Sequence, residues 1–165
     1  MKTNFTVFLM LFSGICFAQS QNNKQLDFKG ETFRYIHELN QFMGYKEVES
    51  ALIEPVGSDY AISNISNGVN TIILFEKVIH ADKGKVNYQI LDTINIGRLP
   101  RNKSIIITGC LINKKDDPEI IGMIKNTGKE TPVTPLKAWR ANRKTNTLQK
   151  IPVKGITCAE LIGED

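Results

Sequence analysis

The sequence predicts an α+β domain in which an N-terminal helical segment is followed by a curled antiparallel β-meander of about eight strands. Apolar side chains recur at helical spacing between Glu31 and Met43, whereas apolar and polar residues alternate along much of the chain after Asp59. The connections between the later apolar runs are too short for crossovers, which forces neighbouring strands to be antiparallel. A mainly-β barrel or sandwich is the alternative fold class.

Residues 1–18 have the layout of a secretory signal peptide, with Lys2 ahead of a short apolar core and the small residue Ala18 before the expected cleavage point. The apolar run is too short to span a membrane. Residues 19–30 are rich in Gln, Asn and Lys and predict a flexible arm. We expect residues 31–165 to form a single globular domain that is exported to a periplasm or outside the cell, and the leader is of a bacterial type.

Residues 31–43 predict the helix. Four apolar residues fall on or near one side of it: Phe33, Ile36, Leu39 and Met43. Gly44 is a natural stop, because glycine readily adopts the left-handed conformation that ends a helix. Residues 46–53 predict either a second short helix or a strand, which ends before Pro55.

Residues 60–65 and 69–80 predict a hairpin around Asn67 and Gly68, the dipeptide that most readily supplies positive φ at both turn positions. The next strand is predicted over residues 86–96, where apolar and polar side chains alternate with Asp92 as the single break. That alternation predicts one buried face and one solvated face.

The second half of the chain contains five further runs that predict strands, at residues 105–112, 120–124, 136–142, 148–153 and 156–161. The first of these is apolar on both faces, which predicts a central position in the sheet. The third and fourth predict a hairpin in which Asn146 can adopt the left-handed conformation.

Cleavage of the leader would remove Cys16 and leave Cys110 and Cys158. Two thiols in an exported chain favour one disulfide, because the destination is oxidising. Two buried thiols that never meet are the alternative. A bond between Cys110 and Cys158 would place the last strand next to the strand at 105–112, so that the sheet must curl, fold over or take the last strand out of order.

Only His37 and His80 are suited to proton transfer near neutral pH. His37 lies among polar residues and predicts a solvated position, and His80 ends a strand two residues before Asp82. A His-x-Asp pair without a third ligand is a weak metal signal. The sequence contains no GxSxG, HExxH, Walker or Rossmann motif, so it predicts no catalytic residue, no metal and no cofactor.

An acidic cluster precedes the strand at 120–124. Asp116, Asp117 and Glu119 surround Pro118 at a predicted turn. Carboxylates bind calcium, but these three lack the ligand spacing of a calcium loop. We therefore expect them at a solvated hairpin tip.

Positive charge is concentrated in one segment. Between residues 125 and 154 a single acid, Glu130, is accompanied by eight basic residues: Lys125, Lys129, Lys137, Arg140, Arg143, Lys144, Lys150 and Lys154. Arg140, Arg143 and Lys144 can line one face of the predicted hairpin around Trp139. The alternative is that Trp139 belongs to the core and the cations keep an edge hairpin soluble.

These observations favour an exported, non-enzymatic binding protein, such as an inhibitor, an immunity-type protector or an envelope accessory factor. Its predicted binding residues are Trp139, Arg140, Arg143 and Lys144, and its expected partner is an acidic protein surface or an anionic envelope polymer. Nucleic acid is not expected for an exported chain. The alternatives are a hydrolase of envelope polymers that uses His80 and nearby acids, and a structural envelope component.

Overall fold

The structure, a computed structural model, describes residues 28–53, 59–81, 85–126 and 131–159. Within these ranges the chain forms twelve strands and two 3₁₀ turns, Ile36–Glu38 and Asn40–Phe42. The strands are β1 (Thr32–Phe33), β2 (Lys46–Leu52), β3 (Tyr60–Ser66), β4 (Thr71–Ala81), β5 (Lys85–Gly97), β6 (Lys103–Ile106), β7 (Cys110–Ile112), β8 (Lys115–Asp116), β9 (Ile120–Lys125), β10 (Lys137–Asn142), β11 (Thr147–Ile151) and β12 (Ile156–Cys158).

The described fold is mainly β, and the prediction of an α+β domain with an N-terminal helical segment is wrong. Residues 31–43 instead form β1, which pairs with β5, and the two 3₁₀ turns. Three of the four residues of the predicted apolar stripe nevertheless pack onto the sheet beneath them, namely Phe33, Ile36 and the partly buried Leu39, whereas Met43 is exposed. The local preference of these residues for a helix is weak, and tertiary packing outweighs it. The apolar side chains reach the core from an irregular backbone instead.

Sheet A is a five-stranded antiparallel sheet with the order β1-β5-β4-β3-β2. Residues 46–52 belong to it as β2, so of the two predicted conformations the strand is the one observed. The predicted hairpin of β3 and β4 is confirmed, but only Gly68 has a positive φ, 82°. Asn67 stabilises the turn in another way, because its side-chain oxygen accepts hydrogen bonds from the backbone N–H groups of Val69 and Asn70 at 3.0 and 2.7 Å.

Strand β5 faces two different cores because of a break in its pairing with β4. Phe75 pairs with Asp92 and Glu76 pairs with Ile90, so Leu91 is an extra residue at a β-bulge. A bulge shifts the alternation of side chains by one position. Ile90 therefore packs on one side of sheet A and Ile94 on the other, and the expectation that they share a face is wrong.

The predicted central strand at 105–112 is divided between two sheets. Its first part is β6, an edge strand of sheet B, which has the order β11-β10-β9-β6. Its second part is β7, the middle strand of sheet C, which has the order β12-β7-β8. The predicted hairpin is confirmed as β10 and β11, and Asn146 has the expected positive φ of 54°.

The predicted disulfide is present. Cys110 and Cys158 are bonded, and they are paired residues of β7 and β12. The last strand joins its sheet out of chain order, which is one of the three arrangements that a bonded pair left open. The bond therefore links two strands within sheet C, and both cysteines pack in a core shared with sheet B.

Three hydrophobic cores alternate with the sheets. The central core lies between sheets A and B and includes Phe75, Ile121 and Trp139. The N-terminal core lies on the outer face of sheet A, beneath residues 28–45, and includes Phe42. The disulfide core lies between sheets B and C and includes Cys158. The described chain is thus a stack of three sheets, with a short cover that contains the two 3₁₀ turns on sheet A.

The predicted signal peptide, residues 1–18, lies outside the described residues, as does most of the predicted arm at 19–30. The end of that arm is part of the fold. Phe28 is buried in the N-terminal core, and the backbone N–H of Gly30 donates a hydrogen bond to the carbonyl of Ile90 at 2.8 Å. We call residues 28–45 the covering segment, and they shape one wall of the cleft described below.

Candidate functional site

Trp139 does not form the aromatic centre of a basic surface. Its side chain is 7% exposed and packs in the central core with Ile121 and Met123. Because side chains alternate along β10, Trp139 faces the core while Arg140 faces the opposite side of sheet B. The structure thus corresponds to the alternative interpretation of Trp139 as a core residue.

Arg140 and Arg143 are held by two acids. The guanidinium of Arg140 donates to Asp117 and Glu119, each at 2.8 Å, and Nε of Arg143 donates to Glu119 at 2.7 Å. These acids are therefore partners of the hairpin cations and not a solvated tip. The pairs offset much of the positive charge that the sequence places here, and Lys144 remains exposed beside them.

A shallow cavity of about 530 Å³ lies at this position. Its lining includes Tyr60, Asn142, Lys144 and the two arginines, so the structure brings together three of the four predicted binding residues. A fixed guanidinium pair beside an exposed lysine can contact an anionic group, although the local charge is lower than the sequence suggests.

A second cleft, of about 390 Å³, lies on the outer face of sheet A, where the covering segment ends. We call it the Glu76 cleft. Its floor is formed by Ser50, Ser63, Glu76 and Tyr88, which lie on four neighbouring strands. Its walls include Phe33, Tyr35 and Tyr45. The outer face of sheet A is apolar beneath the covering segment and polar in the cleft beyond it.

Glu76 is the chemically distinctive residue of the cleft. It is 1% exposed, and its Oε2 accepts a hydrogen bond from the Ser63 hydroxyl at 2.9 Å. Since Ser63 donates to Glu76, the 3.1 Å contact between the hydroxyls of Ser50 and Ser63 is donated by Ser50. Ser50 is exposed, so this chain of hydrogen bonds connects the buried carboxyl to the cleft.

The second carboxyl oxygen of Glu76 has no partner in the described part of the chain. Among the described residues, Oε1 is buried and has no hydrogen bond. Burial raises the pKa of Glu76 to about 7, the Ser63 hydrogen bond opposes that rise, and the negative charge of Glu47 adds to it. The pKa of Tyr88 is raised too, by burial first and then by Glu76 and Glu47. Glu76 is therefore poised to exchange a proton near neutral pH.

The rim of the cleft presents stacked planar groups. The rings of Tyr35 and His37 are parallel within 8°, with centroids 5.6 Å apart, and the Arg34 guanidinium lies 5.4 Å from the centroid of Tyr35. Glu38 fixes this segment, because its Oε2 accepts hydrogen bonds from the backbone N–H groups of Arg34 and Tyr35. Tyr35 is 53% exposed and thus available to a ligand.

The structure describes the side chain of one of the two histidines. His37 is exposed, as predicted, and lines the rim of the Glu76 cleft. The side chain of His80, together with Asp82, lies outside the described parts, so the hydrolase hypothesis based on them stays a prediction. Among the described residues, no group of three His, Cys, Asp or Glu could hold a metal ion.

Sequence reasoning overlooked Glu76, although a signal for it exists. The residue interrupts a strongly apolar strand, and the residues two positions away on the same face, Leu74 and Val78, are both buried. An acid at an inward position of such a strand is rarely found without a partner or a function. The aromatic walls come from segments distant in sequence, which no local pattern reveals.

Comparisons of the chain with protein families, with curated proteins and with solved structures return no match. No relative therefore suggests a substrate or partner for either cavity. The two sites are distinguished by their geometry and charge, which favour the Glu76 cleft because it combines concave shape, aromatic walls and an unpartnered polar atom.

Proposed function

We propose that this protein is an exported, non-enzymatic binding protein that holds a small ligand in the Glu76 cleft. The observation that carries the proposal is the unpartnered Oε1 of Glu76 at an aromatic-lined cleft. Leaving a buried polar atom without a hydrogen bond costs about 1–3 kcal/mol. A ligand that donates a hydrogen bond to this atom recovers that free energy, and the rings of Tyr35 and Tyr45 supply apolar contact area.

Export is supported by the leader pattern of residues 1–18 and is compatible with the disulfide between Cys110 and Cys158. No helix in the described parts of the chain is long and apolar enough to cross a membrane. A binding role also agrees with the sequence, in which no motif of a known catalytic centre occurs.

Nuclear magnetic resonance of the oxidised protein tests the proposal. We expect at least one of three probes (benzylamine, benzyl alcohol and methyl glucoside) to shift the backbone amide signals of Tyr45, Ser63 and Tyr88 in a saturable way. Tyr35→Ala should weaken that binding, because it removes an exposed ring from the wall. Val69→Ala is the matched control, since Val69 is an exposed apolar residue at the turn between β3 and β4. Shifts confined to other surfaces would contradict the proposal.

The cavity at Arg140 supports a second candidate function, the binding of an acidic protein surface or anionic envelope polymer. Its support is the guanidinium pair fixed by Asp117 and Glu119 beside the exposed Lys144. We expect Lys144→Glu to elute earlier than the wild type from a dextran sulfate column. Lys77→Glu, which reverses an exposed charge on sheet A, is the control. Equal elution of the two variants would contradict an anion-binding role for this cavity.

A further inference from the structure

We propose that the ligand of the Glu76 cleft carries a protonated amine attached to a flat or apolar body. The inference rests on the proposed binding function and specifies its ligand class. The amine would donate a hydrogen bond to Oε1 of Glu76, and the body would lie against the aromatic walls.

The first argument is the charge inside the cleft. Among the described residues, the one neighbour that favours ionisation of Glu76 is the Ser63 hydroxyl, whereas burial and the Glu47 carboxylate both oppose it. When Glu76 ionises, a negative charge is buried, and none of the described cationic side chains is among the groups that shift its pKa. A protonated amine supplies both the missing donor and the missing charge, while an alcohol supplies only the donor.

The second argument is the aromatic wall. The faces of aromatic rings attract cations, most strongly where water is excluded. Phe33 and Tyr88 lie with ring centroids 5.8 Å apart, and both line the cleft near Glu76. An anionic ligand would meet Glu47 and Glu76 at close range and is disfavoured by repulsion.

The remaining charged and titratable groups come from the covering segment and from the start of β2. Arg34, His37 and Lys46 are exposed, and solvent screens their repulsion of an entering cation. Tyr35 and Tyr45 present phenol rings at the walls, and Tyr88 does so on β5. None of these groups offsets a negative charge on Glu76.

Proton exchange gives the inference a measurable signature. Below neutral pH, Glu76 retains its proton, so binding of an ammonium group must release that proton to solvent. The apparent affinity then rises with pH and levels off once Glu76 is ionised. Between pH 5.5 and pH 7.5 we expect an increase of about 20-fold for a ligand that stays protonated throughout.

Isothermal titration calorimetry with benzylamine and its neutral analogue benzyl alcohol tests the inference. We expect benzylamine to bind about 10-fold or more tightly than benzyl alcohol at pH 7.5. Glu76→Gln should remove that preference and the pH dependence. Glu49→Gln is the matched control, because burial also raises the pKa of Glu49, whose carboxylate is partnered by Thr108 at 3.0 Å. A circular dichroism spectrum confirms that each variant is folded.

The outcomes separate this inference from the proposed function. If benzyl alcohol binds in the cleft as tightly as benzylamine, the amine class is wrong although the cleft binds ligands. If none of the probes perturbs the cleft, both the inference and the proposed function are wrong. If the pH dependence persists in Glu76→Gln, the titrating group is not Glu76 and the inference is overturned.

Discussion

Glu76 occupies a position where its strand would ordinarily carry an apolar side chain. Leu74 and Val78 flank it on the same face of β4, and both are buried. Burial of a carboxyl group favours its protonated form, which is why the pKa of Glu76 rises to about 7. The residue therefore reduces stability at neutral pH, and such a group is a candidate for function on physical grounds alone.

Replacement of Glu76 by Gln tests this effect on stability. Because the pKa is about 7 in the folded protein against an ordinary 4.5, the folded state binds more protons between these values, and stability falls as pH rises. We expect the wild type to lose about 2–3 kcal/mol more than Glu76→Gln between pH 5 and pH 8. Urea denaturation at the two pH values measures this difference. Equal losses in the two proteins would contradict the burial of the charge.

Gly122 is a second residue whose identity is set by its surroundings. It lies on β9 facing sheet C, where an added β-carbon would overlap Sγ of Cys158 and lie 3.1 Å from Sγ of Cys110. We expect Gly122→Ala to lower the free energy of unfolding by about 1–3 kcal/mol through overpacking. In a background with both cysteines replaced by Ala, the same substitution should cost far less. An unchanged cost would show that the disulfide is not the obstacle.

At the scale of elements, the sequence predicts turns better than it predicts the backbone between them. The hairpins of β3 with β4 and of β10 with β11 follow from Asn67, Gly68 and Asn146, whose local conformations do not depend on distant contacts. The apolar spacing of the segment at 31–43 fits a helix, yet its partners in the core are strands far along the chain. The bulge at Leu91 likewise depends on pairing with β4.

Among the strands, the disulfide fixes β7 and β12 of sheet C to each other. Cys110 and Cys158 are 48 residues apart, and a closed loop of that length stabilises the folded state by about 4 kcal/mol in the chain-entropy description. We expect Cys110→Ala/Cys158→Ala to lose stability of this order in guanidinium denaturation. Dithiothreitol should have a similar effect on the wild type and none on the double variant. A loss below about 1 kcal/mol would contradict this role.

In the molecule as a whole, the three hydrophobic cores are lined by the faces of the three sheets. Sheet A contributes Ile73 to the central core and Ile72 to the N-terminal core, so each core is coupled to the next through a common sheet. The backbone N–H of Leu148 on sheet B also donates to Asp92 on sheet A at 2.6 Å. Such sharing predicts that the layers unfold together.

Cooperative unfolding is measurable with two probes. The fluorescence of Trp139 reports on the central core, where the residue is buried, and far-ultraviolet circular dichroism reports on all sheets. We expect the two denaturation curves to superimpose. Separate midpoints would show that one sheet unfolds independently.

The two cavities differ in how much of each can be predicted from the sequence. Arg140, Arg143 and Lys144 are close in sequence, so the charge pattern predicts their grouping, and the structure places all three at one cavity. The pattern does not predict how far their charge is offset, since Asp117 and Glu119 approach the two arginines only in the folded sheet. The Glu76 cleft is assembled from the covering segment and strands β2 to β5, and that assembly depends on register, which the sequence does not specify locally.

If Glu76 is the ionisable group of a cleft that accepts a cation, its carboxyl must respond to a bound amine. A carbon-detected pH titration of the Glu76 side-chain carboxyl, recorded with and without saturating benzylamine, measures this response. We expect titration near pH 7 in the unliganded protein and a fall in pKa of about one unit or more with the amine. Titration near 4.5 in the unliganded protein, or no response to benzylamine, would contradict it.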